Sequence, residues 1–238
     1  MEAGLSSSHN KGRLVKHIGM IGGIGPAATE FYYRSLVKKF SESNQTMELT
    51  IVHADTTEMI TNFQRGAQME QAEIFRRFGE RLSRAGAEFA VVTSMAGHFC
   101  IEEFATLSPL PVLNAVPTID ARFAKDGLKK VGLLGTNGVM RSKFYGGVKS
   151  TELITPLDDT FERVSEEYFA IAQTGTCTEK QRAFFFEEGK KMIDRGAEAV
   201  ILAGTDLCLA FDGEDSGYPV LDSALIHVDA VFEEANAP

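Results

Sequence analysis

The feature of this 238-residue chain that most narrows its fold is an internal repeat. Val131-Gly132-Leu133-Leu134-Gly135-Thr136 resembles Ile18-Gly19-Met20-Ile21-Gly22-Gly23. Gly196-Ala197-Glu198-Ala199-Val200-Ile201-Leu202 resembles Gly86-Ala87-Glu88-Phe89-Ala90-Val91-Val92, and Pro219-Val220-Leu221-Asp222 resembles Pro111-Val112-Leu113-Asn114. The offsets are 113, 110 and 108 residues, in one order along the chain. Three ordered matches at nearly one offset imply a duplicated unit.

Each copy alternates strand-like and helix-like segments. The apolar run 18–22, ending in glycines, reads as a buried parallel strand. Pro26 suits the first turn of a helix, and Ala28, Tyr32, Leu36 and Phe40 then mark one helical face. Strands are expected at 49–54, 89–93 and 111–114. Between them an amphipathic helix runs from Gln68 to Arg84 and ends at Gly86, with glycine as the stop signal. Residues 55–65 are expected as a loop, and Phe184-Phe185-Phe186 as core on a helix. Alternation of this kind implies an α/β fold with a parallel sheet. The expected architecture is two pseudo-symmetric lobes, each a parallel sheet flanked by helices, with the active site between them. The division is 17–125 with about 226–238 for the first lobe and 126–225 for the second. The polar, Ser-rich start is read as a disordered leader over 1–16.

Composition removes several classes of partner. A net charge of −9 disfavours nucleic acid and anionic membranes. No apolar run reaches the roughly 18–20 residues of a membrane span. Three cysteines, Cys100, Cys177 and Cys208, make neither a disulfide framework nor a CxxC metal motif, and a reducing, cytoplasmic location is expected. His98 and Cys100 lack further ligands for a metal, and Cys100 and Cys208 read as packing thiols. The Gly22–Gly25 loop lacks the Lys-Ser/Thr of a P-loop and the spacing of a dinucleotide fingerprint.

In parallel sheets, ligands bind beyond the carboxyl ends of the strands. That directs attention to Gly22–Gly25, Ser94–His98, Gly135–Gly138 and Gly204–Asp206. Ser94 follows Gly86 by eight residues and Gly204 follows Gly196 by eight, so the two occupy one slot in the two copies.

The segments 18–26, 86–89, 131–136, Gly204-Thr205-Asp206-Leu207 and 219–227 together resemble the cofactor-independent aspartate/glutamate racemase family, over about His17 to Phe232. The resemblance implies an amino-acid isomerase of two α/β lobes, a homodimer, using neither PLP nor metal. It implies two catalytic cysteines, one per lobe, in Cys-Asn-Thr-x-His and Gly-Cys-Thr-Glu runs. The matching runs here are Ser94-Met95-Ala96-Gly97-His98 and Ala203-Gly204-Thr205-Asp206, so neither cysteine is present. A serine hydroxyl is far less acidic than a thiol, and glycine offers only its backbone, so a two-thiol mechanism is not supported.

The expected catalytic residues are Ser94, Thr205, Asp206 and His98, and the expected substrate contacts are Gly23, Met95, Ala96, Thr136, Asn137, Gly204, Arg65 and His227. Ser94, Gly204 and Thr205 are candidates for a carboxylate or oxyanion pocket. Two roles stay open for His98, acid–base group or structural hydrogen-bonder, and for Asp206, general base or helix cap. Arg65 is a candidate for a distal carboxylate on charge alone. The expected function is a racemase-family enzyme acting on a small amino acid or carboxylic acid. The alternatives are a lyase, such as a decarboxylase, or an isomerase with a single acid or base, and a catalytically silent homologue that binds a small anion.

Overall fold

The computed structural model describes residues 15–23 and 25–238, the side chain of Asp158 excepted. The first sheet is parallel, with strands β1 (Ile18–Gly22), β2 (Leu49–His53) and β3 (Phe89–Val92) in the order β2-β1-β3. The second contains β4 (Lys130–Gly135), β5 (Glu152–Ile154), β6 (Ala199–Ala203) and β7 (Val220–Asp222) in the order β5-β4-β6-β7.

The repeat extends to the hydrogen-bond register. Ile18 pairs with Phe89 in the first sheet, and Val131 with Ala199 in the second. The Glu88 amide donates to the His17 carbonyl at 2.9 Å, and the Glu198 amide to the Lys130 carbonyl at 2.8 Å. Gly86 and Gly196, each ending a helix before a strand, have φ of +93° and +91°, which only glycine adopts without strain.

The fourth strand expected at 111–114 is reduced to one parallel bridge, Ala90 with Val112. The Ala90 amide donates to Pro111 O at 2.8 Å and the Leu113 amide to Ala90 O at 2.9 Å. Proline at the strand start removes a donor, and the chain enters a helix at Ala115. This segment lies where β7 lies in the second lobe.

The helices are α1 (Pro26–Glu42), α2 (Thr56–Arg65), α3 (Gln68–Arg84), α4 (Ile101–Leu107), α5 (Ala115–Asp126), α6 (Asn137–Ser142), α7 (Asp158–Thr174), α8 (Glu179–Asp194), α9 (Cys208–Phe211) and α10 (Ser223–Ala235). The face expected for α1 is the one it buries, Ala28, Tyr32, Leu36 and Phe40. Full burial of a large apolar side chain contributes about 1.5–3 kcal/mol, so this stripe suffices to fix α1 on the sheet. Helix α3 spans the expected residues. Phe184 and Phe185 of α8 are buried in the second-lobe core.

Two expectations are corrected here. Residues 55–65 form no loop. Asp55 accepts the Glu58 amide at 2.8 Å as N-cap, and Gly66, at φ +64°, closes α2. Met59 and Phe63, four residues apart, then share a face. The expected leader lies outside the described residues except for Val15 and Lys16. The Lys16 amide donates to Ala235 O at 2.9 Å and its Nζ pairs with Glu234 at 2.7 Å, so the chain is held from there onward.

The closing helices exchange lobes. α5 buries Ala115, Val116, Ile119 and Phe123 in the core built on β4 and β6. α10 buries Ala224, Val228, Val231 and Ala235 with Ile18, Met20 and the α1 stripe. The return of the chain to the first sheet was expected; the packing of α5 against the second was not. Each lobe is therefore completed by a helix that follows the other lobe's last strand, which fixes how the two sheets face each other.

Candidate active site

The carboxyl ends of β1, β3, β4 and β6 open onto a cavity of about 770 Å³ between the lobes. Its floor includes Ser94, Met95 and Ala96 after β3, and Gly204, Thr205 and Asp206 after β6. Thr136 and Asn137, after β4, complete the second-lobe side. Eight residues expected at the site thus meet around one cavity.

The remaining four do not. Arg65 is exposed on the last turn of α2 and does not line the cavity. Gly23 lies behind it. The Gly23 amide donates to Thr29 Oγ1 at 2.8 Å and its carbonyl accepts from Thr56 Oγ1, so neither backbone group is free for a ligand. His98 is 1 % exposed. Its Nδ1 donates to Ser94 O at 2.7 Å and its Nε2 accepts from the Ala115 amide at 3.2 Å. Both ring nitrogens are committed, which leaves no lone pair for a metal and no position for acid–base work. His227 is fully buried, accepting from Tyr32 Oη at 2.9 Å and donating from Nε2 to Leu113 O at 3.1 Å. The two imidazoles meet edge-on at 5.8 Å. Burial lowers His98 to about 4 and His227 to about 3, so both are neutral at pH 7. They form a structural pair behind the cavity.

The decisive feature comes from a residue that no motif flagged. A Cβ placed on Gly204 would lie 2.4 Å from the ring of Tyr168. The slot the resemblance gives to the second cysteine is filled by a tyrosine from α7. Tyr168 Oη donates to Asp206 Oδ2 at 2.8 Å. Burial and the Asp206 charge hold the phenol well above its usual 10, so Tyr168 stays protonated and acts as a donor. Asp206 is 6 % exposed and lines the cavity. Gly204 occupies the N-cap of the short 3-10 turn Thr205–Leu207 with no side-chain cap, so Asp206 is a partner of Tyr168 and no helix cap.

Ser94 Oγ accepts the Gly97 amide at 3.4 Å, which leaves its hydroxyl hydrogen free to point into the cavity. The loop that carries it is held from the other lobe, because Tyr145 Oη donates to Met95 O at 3.0 Å and to Ala96 O at 3.3 Å. Tyr145 sits in a run of left-handed residues, with φ of +48°, +56° and +56° at Lys143, Phe144 and Tyr145. Such non-glycine conformations cost of order 1–3 kcal/mol each and persist only where the surroundings enforce them. No thiol reaches the cavity. Cys100 is buried with Sγ 3.7 Å from Gly97 O, and burial pushes both Cys100 and Cys208 up to about 12.

Residues 21–231 match the Asp/Glu/Hydantoin racemase family. The chain belongs to that family. Among solved structures it resembles a Yersinia pestis protein provisionally named an Asp/Glu racemase, at 26% identity and TM-score 0.84, covering 93% of this chain and 100% of the other. It resembles an aspartate racemase homologue from Pyrococcus horikoshii at 28% identity and TM-score 0.80, with the same coverage. Picrophilus torridus aspartate racemase shares the fold at 20% identity and TM-score 0.70, over 92% of this chain and 94% of that one. Family membership makes this a racemase-type enzyme with the two-lobed racemase fold. The contents of its cleft then bear on how such a fold works without thiols.

Tyr168, Ser165 and Tyr145 escaped the sequence reading. The only signal was on α7, where Glu162, Ser165, Tyr168, Phe169 and Ala172 share a face that mixes charge, hydroxyl and aromatic groups and resembles no core stripe.

Proposed function

We propose that this racemase-family enzyme moves a proton on one face of a small amino acid or carboxylic acid, with Asp206 as the base, oriented by Tyr168. The observation that supports this most is the Tyr168 ring in the Gly204 slot, bonded to a buried carboxylate that faces the cavity. Tyr168 holds Oδ2, so Oδ1 is the oxygen positioned to take the substrate α-proton. A substrate carboxylate meets the hydroxyls of Ser94 and Thr205, which line the same cavity. Charge that builds on the substrate as its proton leaves is met by those donors. A reaction at a single proton-transferring residue suits exchange or decarboxylation better than inversion. Inversion needs a second acid on the opposite face, and there Ser94 offers only a weakly acidic hydroxyl.

The test is ¹H NMR of α-proton washout in deuterated buffer across a panel of amino acids, with optical rotation followed in parallel. Exchange that outpaces inversion is expected, reduced about 100-fold or more by Asp206→Asn. Inversion as fast as exchange would defeat the one-sided mechanism. Saturable binding with neither exchange nor loss of carbon dioxide would make the chain a binding module.

A further inference from the structure

The cavity has a charge pattern of its own. Among the described residues that line it there is no lysine, arginine or histidine, while Glu162, Glu166 and Asp206 all reach it. Glu162 is neutralised by Arg141 and also bonds Asn137. Glu166 makes no ion pair or hydrogen bond among the described residues. Asp206 is more than nine-tenths buried, yet only its Oδ2 has a partner. The Oδ1 atom and the hydroxyl of the equally buried Thr205 make no hydrogen bond among the described residues, and both residues line the cavity. Both atoms are open to the cavity, since the one enclosed side-chain polar atom without a partner among the described residues is Ser223 Oγ. A cleft whose described lining carries carboxylates and no cation favours a ligand that brings positive charge.

The opposite wall has another character. Met59, Ile60 and Phe63 of α2 and Pro26 of α1 present apolar surface to the same space. Phe169, on the α7 side, adds to this apolar lining with 41 % of its surface exposed. Apolar surface left open in a cleft is covered when an apolar ligand enters.

We infer that the substrate carries an ammonium group, which docks on the unpartnered Glu166 carboxylate and leaves Asp206 Oδ1 for the α-proton, and an apolar side chain, which docks on the α2 wall, and that dicarboxylates are rejected. The inference rests on the reading of the cleft as the substrate site and narrows its substrate class. A second carboxylate on the substrate would meet no cation and would face Glu166 or Asp206. Like-charge opposition of this kind is an effective means of exclusion. The α-carboxylate of an apolar amino acid still finds the Ser94 hydroxyl.

The experiment is titration calorimetry on the full chain with L-phenylalanine, L-leucine, L-aspartate, L-glutamate and 3-phenylpropionate, the last lacking only the ammonium of phenylalanine. Phenylalanine or leucine is expected to bind about tenfold or more tighter than either dicarboxylate and than 3-phenylpropionate, since one charge contact of ordinary strength is worth a factor of ten. Glu166→Gln is expected to erase the preference for phenylalanine over 3-phenylpropionate. Glu166→Lys, at an exposed position where folding is not at issue, is expected to improve aspartate binding several-fold. Equal or tighter binding of a dicarboxylate, indifference to the ammonium, or no binding by any of the five overturns the inference. Tight phenylalanine binding without α-proton exchange would overturn the one-sided proton transfer and leave the substrate class standing. Aspartate that binds best and exchanges would do the reverse.

Discussion

The two lobes share strand order, register and even matched backbone hydrogen bonds, yet they bring opposite chemistry to the cleft. In each lobe the helix after the outer strand forms the wall, α2 after β2 and α7 after β5. Helix α2 is short and contributes Met59, Ile60 and Phe63, whereas α7 runs 17 residues and contributes Glu162, Ser165, Glu166 and Tyr168 beside the apolar Phe169 and Ala172. The strand-end slots differ accordingly. Ser94 stands open to the cavity, and Gly204 is covered by an aromatic ring. Duplication therefore fixed the frame, and divergence of one helix per lobe set the chemistry. That divergence separates the duties of a site whose twin slots could otherwise carry identical groups.

The sharpest way to break the comparison is at the acidic partner. Asp206→Asn should lower α-proton exchange about 100-fold or more, while Tyr168→Phe, which keeps the ring and removes only the donor, should lower it less. Rate measurements on both variants against the parent decide this, and a Tyr168→Phe enzyme slower than Asp206→Asn would reverse the assigned roles.

The slots themselves come next. Ser94→Cys changes one atom at an open position and should leave the melting temperature nearly unchanged. Gly204→Cys forces a side chain into the Tyr168 ring and should destabilise by about 1–3 kcal/mol, as overpacking does. Combining it with Tyr168→Ala should recover much of that loss. Thermal denaturation of the three variants tests the asymmetry, and equal tolerance of both cysteines would show that the two slots are not different after all.

A third effect concerns the imidazole pair behind the cavity. His98 and His227 stay neutral in the folded chain, at about 4 and about 3, against about 6.5 when unfolded. Below about pH 6.5 the unfolded chain gains protons that the folded chain refuses, so stability falls as pH drops from about 6.5 toward about 4, and above about 6.5 these residues contribute no slope. Asp222, raised to about 6 by burial, acts in the opposite sense over part of that window. A His98→Gln/His227→Gln variant retains Asp222, so a shallower acid decline of its melting temperature relative to the parent isolates the imidazoles. An unchanged pH profile would remove them as the cause.

The smallest effect compares matched caps. The Glu88 carboxylate accepts the His17 amide at 2.8 Å, whereas Glu198 accepts two amides, Lys129 at 2.5 Å and Lys130 at 3.1 Å. Glu198→Gln should therefore lower the melting temperature slightly more than Glu88→Gln. The reverse order would mean that burial outweighs bond count at these positions.

The sequence by itself determined the duplicated α/β frame, the α1 and α3 faces, and the convergence of Ser94, Thr136, Gly204 and Asp206. These follow from periodicity and from a nearly constant repeat offset, both of which can be read along the chain. It misread residues 55–65 as a loop, because a ten-residue helix with a short apolar face gives little periodic signal. It drew His98, His227, Gly23 and Arg65 toward the site because residue type says nothing about which partners a side chain already has. Only the tertiary structure decided that both imidazoles are committed behind the cavity, that α5 and α10 exchange lobes, and that the Tyr168 ring fills the space beside Gly204. A glycine in a chain is silent about what occupies the room its missing side chain leaves. That neighbour arrives from a distant helix, by packing that no local pattern encodes.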